Sequence, residues 1–310
     1  MVAEGNNSGG LAADLRSWGW LAVLALAWGS GFLWTDLALT EGVPPSYLAF
    51  GRGVVASVVL LLLGRPRWRE WKGRGPRLWD LVSAAVLCNV MPFTLFAIGQ
   101  QTVASGIAGV LNATTPLWAA LLELAARRGR TVGPRQLAGV AVGFAGVCLV
   151  FAPWRAGVAL TIGVPMILLA AAGYAAGFVL MARRLIPSAA SPAELAGLQM
   201  TVATVLLAIP VPFARESPAP TAIGLVAVTM LGLLCTAFTF AIAYRMLAAE
   251  GATRTAVVGY LVPVVAILLG AIFLHEGIGA TAIAGMALVL AGVALTRSVR
   301  RLDRIAEVRT

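Results

Sequence analysis

The 310-residue chain is 60% hydrophobic, only 12% charged, and has a mean hydropathy of +0.90. Soluble domains carry about twice this share of charged residues, so the composition excludes a soluble globular protein and indicates one that lies in a lipid bilayer. The formal net charge of +10 is typical of basic loops on one side of a membrane, and we predict no nucleic-acid partner.

Ten apolar stretches follow one another along the chain. A helix needs about 20 apolar residues to cross ~30 Å of hydrocarbon. This criterion predicts membrane spans at 18–40, 46–64, 79–101, 105–126, 134–152, 161–183, 193–213, 221–244, 254–274 and 278–296. We therefore predict an all-α membrane protein with a cytoplasmic segment at 1–17 and a basic cytoplasmic tail at 297–310.

Lysines and arginines are distributed unevenly among the segments that connect these spans. With both termini in the cytoplasm, 20 of the 23 basic residues lie inside, Arg155 and Arg215 lie outside, and Arg52 falls within a span. Because cytoplasmic loops carry the excess of basic residues, this distribution predicts a multi-pass protein of the inner (plasma) membrane with both termini inside. We interpret the Arg/Trp-rich stretch 65–72 as an interfacial loop, with an RNA-binding or anionic-lipid patch as the alternative.

The two halves of the chain repeat one another. Residues 87–149 align with residues 234–295, with Leu87-Cys88 on Leu234-Cys235, Phe93 on Phe240 and Pro116 on Pro263 at one offset of 147 residues. After a one-residue gap, Gly139 and Gly146 match Gly285 and Gly292. Each copy holds five predicted spans, an odd number, so the second copy must enter the bilayer from the opposite side. This predicts two five-helix inverted-topology repeats (5+5), at 18–152 and 153–296, an architecture of secondary transporters.

Each copy has a proline near the middle of its fourth span, Pro116 in the first and Pro263 in the second. Proline removes a helical hydrogen bond, which leaves the carbonyls of Asn112 and Gly259 without their usual donor. Hydrocarbon cannot satisfy these carbonyls, whereas a polar cavity or a neighbouring helix can. Interrupted helices at matching positions of two halves predict a transporter's binding site; the alternative is a pair of kinks used for packing.

Polar and aromatic side chains near the same depth predict a cavity. Asn89, Phe93, Phe96 and Gln100 are spaced by four, three and four residues, which places them on one helix face, and amides avoid lipid. We therefore predict that this face points inward. The predicted lining consists of Trp28, Asn89, Phe93, Phe96, Asn112, Pro116, Tyr174, Tyr260 and Pro263, and packing is the alternative role for each aromatic residue.

Few charges fall within the predicted spans, and two of them lie well inside a span. Asp36 and Arg52 lie on adjacent helices at similar depth near the outer face, so the sequence predicts an ion pair between them. The alternatives are charges that snorkel to the interface and a coupling or gating role for Asp36 and Arg52. No cluster of lysines or arginines lies near the midplane, which disfavours a phosphate-bearing substrate and favours neutral or zwitterionic metabolites.

The sequence lacks the residue patterns that are typical of enzyme active sites. His275 is the single histidine, and Cys88, Cys148 and Cys235 lie inside predicted spans without metal-ligand spacing. No nucleotide-binding loop occurs. We predict no metal and no cofactor. An intramembrane lipid-modifying enzyme is a distant alternative, and a receptor or scaffold is disfavoured because it needs no broken helix in each half.

Several motifs resemble a known family: Trp28-Gly29-Ser30, Asn112 to Pro116, Ala252 to Pro263, Leu274-His275-Glu276 and the glycine-spaced last span. On these motifs, the chain resembles the drug/metabolite transporter superfamily, specifically its ten-span, duplicated EamA-like exporters, over roughly residues 16–297. Where that family closes spans four and nine with an acidic residue, this chain has Glu276 in the second copy only and Arg128-Gly129-Arg130 in the first.

The resemblance implies alternating access around a central cavity that both halves line, with export of small metabolites such as amino acids. Together with the residue patterns, it predicts a secondary transporter of small neutral or zwitterionic metabolites. A drug or other organic-metabolite exporter is the alternative. The proton is the candidate coupling ion, and the protein is expected to be a monomer or a weak homo-oligomer.

Overall fold

A computed structural model describes residues 7–66, 73–126, 134–151, 161–214, 218–255, 258–275, 277 and 279–307. Within these residues all regular secondary structure is helical, in agreement with the predicted all-α class. Glu276, the segment Arg128-Gly129-Arg130, Arg155, Arg215 and most of the 65–72 loop lie outside the described residues.

The described part of the chain forms thirteen α-helices, which we number in chain order. They are α1 (Asn7–Thr40), α2 (Pro45–Gly64), α3 (Leu78–Ala85), α4 (Met91–Gly99), α5 (Ser105–Asn112), α6 (Thr115–Ala126), α7 (Pro134–Phe151), α8 (Gly163–Leu180), α9 (Pro192–Ala208), α10 (Ala222–Gly232), α11 (Thr239–Thr255), α12 (Val258–Phe273) and α13 (Ala280–Glu307). Two π-helical turns, Val86–Val90 and Leu233–Phe238, join α3 to α4 and α10 to α11, and a third, Met181–Leu185, extends α8.

Helical segments lie at the positions of all ten predicted spans. Among the described residues, six stretches are long and apolar enough to cross a membrane: Ala22–Thr40, Pro45–Gly64, Leu78–Gly99, Gly163–Leu185, Pro192–Phe213 and Ala222–Met246. Leu261–Phe273 and Ala280–Gly292 are shorter apolar helices. The fourth predicted span is divided between α5 and α6, and α7 occupies the fifth. A total of ten crossings therefore stays a prediction.

Several helices extend beyond their predicted limits. Helix α1 begins at Asn7 rather than at 18, α11 continues to Thr255 rather than ending at 244, and α13 runs to Glu307 through much of the segment predicted as a tail. Hydropathy marks only the part of a helix that lies in hydrocarbon. Polar residues such as arginine and glutamate are themselves good helix formers, so the helix need not end where the apolar stretch does.

The fourth span is broken in the first half and continuous in the second. Ala113 and Thr114 form a turn between α5 and α6, whereas Pro263 lies inside the single helix α12. The break predicted for both halves is therefore found only in the first. The side chains next to this break explain the difference between the halves. The hydroxyls of Thr114 and Thr115 donate to backbone carbonyls of the preceding turn, each at 2.7 Å.

Those two carbonyls belong to Leu111 and Asn112. The threonine hydroxyls replace the donors that the helix loses at the break, including the one removed by Pro116. At the equivalent positions before Pro263 the second half has Leu261 and Val262, whose side chains donate no hydrogen bond. Opening the helix there would leave carbonyls unsatisfied, so the continuous helix is favoured.

The last helices of the two halves, α7 and α13, pack backbone to backbone at glycines. A Cβ atom on Gly146 would lie 2.6 Å from the backbone nitrogen of Val289 and 2.7 Å from the carbonyl oxygen of Gly285. A Cβ atom on Gly292 would lie 2.5 Å from the carbonyl oxygen of Gly139. Since Gly139 and Gly146 are the repeat equivalents of Gly285 and Gly292, both halves make the same contact. A two-fold relation between copies produces such reciprocity, which favours the predicted duplication.

Candidate functional site

Five aromatic side chains form a continuous row in the protein interior. Phe32 lies edge-on to Phe96, with ring centroids 5.4 Å apart, and Tyr174 lies 6.2 Å from Phe96. Tyr174 stacks on Phe178 at 6.2 Å, and Phe178 lies 6.4 Å from Trp28. These separations fall within the range of about 4.5 to 7 Å that aromatic pairs prefer. We call these five residues the aromatic row.

The aromatic row joins equivalent faces of the two halves. Trp28 and Phe32 lie one helical turn apart on α1, and Tyr174 and Phe178 lie one turn apart on α8. The two pairs match at a single offset of 146 residues. Sequence reasoning selected Trp28, Phe96 and Tyr174 and missed the other two members. Helical spacing would have identified them, because Phe32 and Phe178 each follow a selected aromatic residue by four positions.

A buried guanidinium group lies at the same interface between the halves. Arg52 of α2 is 8% exposed, and its guanidinium carbon lies 3.8 Å from the centroid of the Phe93 ring. Its Nε and Nη2 donate to Thr236 Oγ1 at 3.3 and 3.0 Å. Tyr174 packs against the buried cluster that contains Phe93. A neutral hydroxyl and an aromatic face orient this charge without neutralising it.

The predicted ion pair between Asp36 and Arg52 stays a prediction. Asp36 is half-buried on α1. The contacts of Arg52 described above connect it to Phe93 and Thr236. The structure thus adds two partners for Arg52 that the sequence did not suggest.

A second buried polar contact involves three side chains. Gln199 Nε2 donates to Asn89 Oδ1 at 2.7 Å, and the Tyr244 hydroxyl donates to Gln199 Oε1. All three side chains are fully buried. Asn89, predicted to line a cavity, therefore has Gln199 as its hydrogen-bond partner. Sequence reasoning missed Gln199, although an amide within an apolar span is the same signal that marked Asn89.

The two polar contacts occupy equivalent positions in the two halves. Arg52 and Gln199 are related by the 147-residue offset, and so are Asn89 and Thr236. In each case, a donor on the second span of one half bonds to an acceptor in a π-helical turn of the other half's third span. π-helical turns are frequent at functional sites. The contact is thus duplicated, but only the copy with Arg52 carries a charge.

Two amide side chains have a buried oxygen with no hydrogen-bond partner among the described residues. One is Asn112 Oδ1 of the predicted lining, next to the break between α5 and α6, and the other is Gln100 Oε1 on the inward face of the third span. The other end of the Gln100 amide donates to the carbonyl oxygen of Phe32 at 2.9 Å. Buried polar atoms are normally satisfied by protein or water. The Asn112 oxygen is therefore an acceptor to which a bound molecule could donate.

The remaining predicted residues are placed as follows. Asn89, Phe93, Phe96 and Gln100 are all buried, so the face that they share points into the protein, as their spacing predicts. Pro263 is buried and Pro116 half-buried. The side chain of Tyr260 lies outside the described residues. Within the described chain, no group of three or more His, Cys, Asp or Glu side chains could hold a metal ion.

Gln199→Leu is expected to destabilise the protein by about 1 to 3 kcal/mol, because it leaves Asn89 Oδ1 and the Tyr244 hydroxyl buried without this partner. Tyr244→Phe, which removes one hydrogen bond, should cost about 1 kcal/mol or less. Thermal unfolding of the detergent-purified variants measures both effects. Gln101→Leu is the matched control, since Gln101 is exposed. Equal unfolding temperatures for Gln199→Leu and Gln101→Leu would show that the network contributes no stability.

Comparison with known proteins agrees with this architecture. The model of the EamA-like transporter family matches residues 16–152 and again residues 161–298. The chain is 25% identical over 295 residues to "Uncharacterized transporter YvbV" of Bacillus subtilis (strain 168), covering 93% of each protein. It is 24% identical over 284 residues to an "Uncharacterized transporter" of Archaeoglobus fulgidus, covering 90% of this chain and 98% of that protein.

A solved crystal structure shares the fold, with a TM-score of 0.66 at 20% sequence identity over 93% of this chain and 99% of that chain. The two matched EamA domains coincide with the two halves of the internal repeat, and the aromatic row draws residues from both. The relatives are named as transporters and not as enzymes. The chain is thus a membrane transporter built from two EamA domains and belongs to the EamA-like transporter family, within the drug/metabolite transporter superfamily.

Proposed function

We propose that this transporter exports small zwitterionic metabolites, with amino acids favoured, through a cavity between its two halves. The observation that carries the proposal is Arg52, a buried guanidinium that contacts the Phe93 ring and Thr236. Phe93 lies about one helical turn before Phe96 of the aromatic row. A guanidinium matches the planar, bidentate geometry of a carboxylate. One such group suits a single carboxylate, whereas a phosphate-bearing substrate would favour several.

The other parts of a zwitterion have candidate partners among the predicted site residues. Aromatic faces such as Trp28 and Tyr174 attract an ammonium group and also accept an apolar side chain. The unpartnered oxygen of Asn112 can accept a hydrogen bond from the same ammonium group. In this proposal Arg52 selects the carboxylate, and the aromatic row and Asn112 receive the remainder of the molecule.

The duplicated polar contact supports the alternating access that we propose. The contact of Arg52 with Thr236 and that of Gln199 with Asn89 each join the second span of one half to the third span of the other half. In a pair of inverted repeats, equivalent contacts lie on opposite sides of the central cavity. Opening one while the other stays closed would expose the site to one side of the membrane at a time.

The cellular setting in this proposal follows the basic-residue distribution. The protein lies in the plasma membrane with both termini in the cytoplasm, as a monomer or weak homo-oligomer, and the second repeat is inverted relative to the first. The proton is the proposed coupling ion, and Asp36 on α1 is the acidic residue proposed to carry it.

A second candidate function is export of apolar, drug-like compounds. The aromatic row supports this alternative by itself, because its five rings offer a surface for a flat apolar molecule. In this alternative function, Arg52 has no role in substrate recognition. The two candidates therefore differ in whether the substrate must carry a carboxylate.

Transport assays with matched substrate pairs test the proposal. Purified protein in liposomes would be supplied with labelled amino acids and, separately, with the amines formed by their decarboxylation. We expect saturable transport of at least one amino acid and a loss of about 10- to 100-fold for its amine, the loss expected when one charge-assisted hydrogen bond is missing. Equal transport of both members of every pair would overturn carboxylate recognition and favour the drug-export alternative.

A further inference from the structure

A pocket at the end of the helix bundle predicted to face the cytoplasm is lined by four arginines. It is an open depression with a volume of about 240 Å³. Its lining includes Arg74, Arg77, Asp80, Arg183, Arg184, Pro187 and Ser188. Four guanidinium groups and one carboxylate give this arginine pocket a formal charge of +3. None of its residues belongs to the site described above.

The backbone around the arginine pocket is held by hydrogen bonds. The backbone nitrogen of Ala189 donates to the carbonyl oxygen of Arg74 at 2.9 Å, which joins the segment before α3 to the segment after α8. Arg183 and Arg184 lie in the π-helical turn Met181–Leu185, which the bond from Ile186 N to Met181 O closes at 3.0 Å. The four arginines, two from each half of the chain, are therefore positioned by ordered backbone.

The positive-inside distribution explains why basic residues lie on this side of the membrane, but it does not require four of them to share one pocket. Like charges at short range repel one another, although water weakens the repulsion between exposed groups. An anion bound among the four guanidinium groups would turn this repulsion into attraction. Phosphate is the anion that best matches several planar, bidentate donors.

Exposed apolar side chains next to the arginine pocket indicate where that phosphate comes from. Helix α3 begins immediately after Arg77 with Leu78 and Trp79, which are 69% and 77% exposed. A large exposed apolar pair at the end of a membrane-spanning helix, with tryptophan included, is typical of the membrane interface. The mouth of the pocket then lies at the level of the lipid headgroups.

We propose that the arginine pocket binds the phosphate of an anionic phospholipid headgroup. The guanidinium groups hold the phosphate, and Leu78 and Trp79 contact the upper part of the acyl chains. Basic pockets between membrane helices on the cytoplasmic side bind headgroups in this way. A soluble phosphate compound offers the same anion without acyl chains, so the test must separate the two sources.

Native mass spectrometry of the full-length protein in detergent measures this binding directly. Phosphatidylglycerol would be titrated in parallel with phosphatidylcholine of equal chain length. We expect saturable binding of phosphatidylglycerol in preference to phosphatidylcholine. The double variant Arg77→Gln/Arg184→Gln should bind phosphatidylglycerol about 25-fold more weakly. Each arginine near an anionic surface contributes about fivefold to the affinity, and the two factors multiply.

Two further variants keep the result interpretable. Arg77→Lys/Arg184→Lys retains the basic residues that set the topology but loses the bidentate geometry, and we expect about tenfold weaker binding with an unchanged unfolding temperature. Arg65→Gln/Arg245→Gln removes two exposed arginines outside the pocket lining and should bind within about twofold of the unmodified protein, because it leaves all four pocket arginines in place.

Three outcomes would overturn the proposal. The first is wild-type affinity for phosphatidylglycerol in the glutamine double variant. The second is equal binding of phosphatidylcholine. The third is displacement of the lipid by glycerol 3-phosphate or inorganic phosphate at the same concentration as the lipid itself, which would assign the pocket to a soluble phosphate compound.

Discussion

Gly292→Leu is expected to prevent folding or to lower stability by about 3 kcal/mol or more. The Cβ atom alone would lie 2.5 Å from the carbonyl oxygen of Gly139 and 2.6 Å from the Cα atom of Gly143, and it would also overlap the backbone nitrogen of Gly143. These are backbone atoms, which cannot rotate away as a side chain can. Helices α7 and α13 must therefore separate and lose packing contacts. In a membrane the hydrophobic effect does not hold helices together, so it does not offset this loss.

The yield of monodisperse protein in detergent and its unfolding temperature measure this effect. Ala291→Leu is the matched control, because Ala291 is exposed on the same helix and its substitution should change neither quantity appreciably. The reciprocal variant Gly146→Leu should behave like Gly292→Leu, since Gly146 meets the backbone of Val289 and Gly285. An unfolding temperature for Gly292→Leu equal to that of Ala291→Leu would contradict the packing described for α7 and α13.

Arg52→Gln is expected to reduce transport of the amino-acid substrate about 10- to 100-fold while leaving the protein folded. Glutamine is the residue at the equivalent position of the second half, where Gln199 donates to Asn89. An amide at position 52 could likewise donate to Thr236, so the substitution keeps the polar contact and removes the charge. Loss of a hydrogen bond between a guanidinium and a carboxylate costs about 1.5 to 3 kcal/mol, which corresponds to one to two decades in affinity.

Initial transport rates in liposomes over a range of substrate concentrations measure this loss. Thr236→Val is the complementary variant, because it removes the acceptor and keeps the guanidinium. We expect it to retain carboxylate selectivity while lowering stability by about 1 to 3 kcal/mol, because the buried guanidinium loses its acceptor. If Arg52→Gln transports as the unmodified protein does, the arginine serves only to connect the two halves and the carboxylate proposal is wrong.

Sequence alone determined the class of the protein and the location of its helices. Partition of a segment into lipid depends mainly on the segment's own composition, which is why hydropathy located a helical segment at every predicted span. The internal offset identified the duplication, and the glycine pairs Gly139/Gly285 and Gly146/Gly292 later proved to be the reciprocal contact. The spacing of Asn89, Phe93, Phe96 and Gln100 correctly predicted one inward face, because helical periodicity is also local.

Only the tertiary structure decided which helices are neighbours and therefore which side chains meet. Arg52 and Thr236 are 184 residues apart, and Asn89 and Gln199 are 110 residues apart. The repeat shows that these pairs are equivalent, but it does not show that they touch. The same limit applies to the arginine pocket, whose two sides are far apart in the chain. Helix packing depends on the shapes of all the surfaces in contact at once, and no local pattern in the sequence reports that.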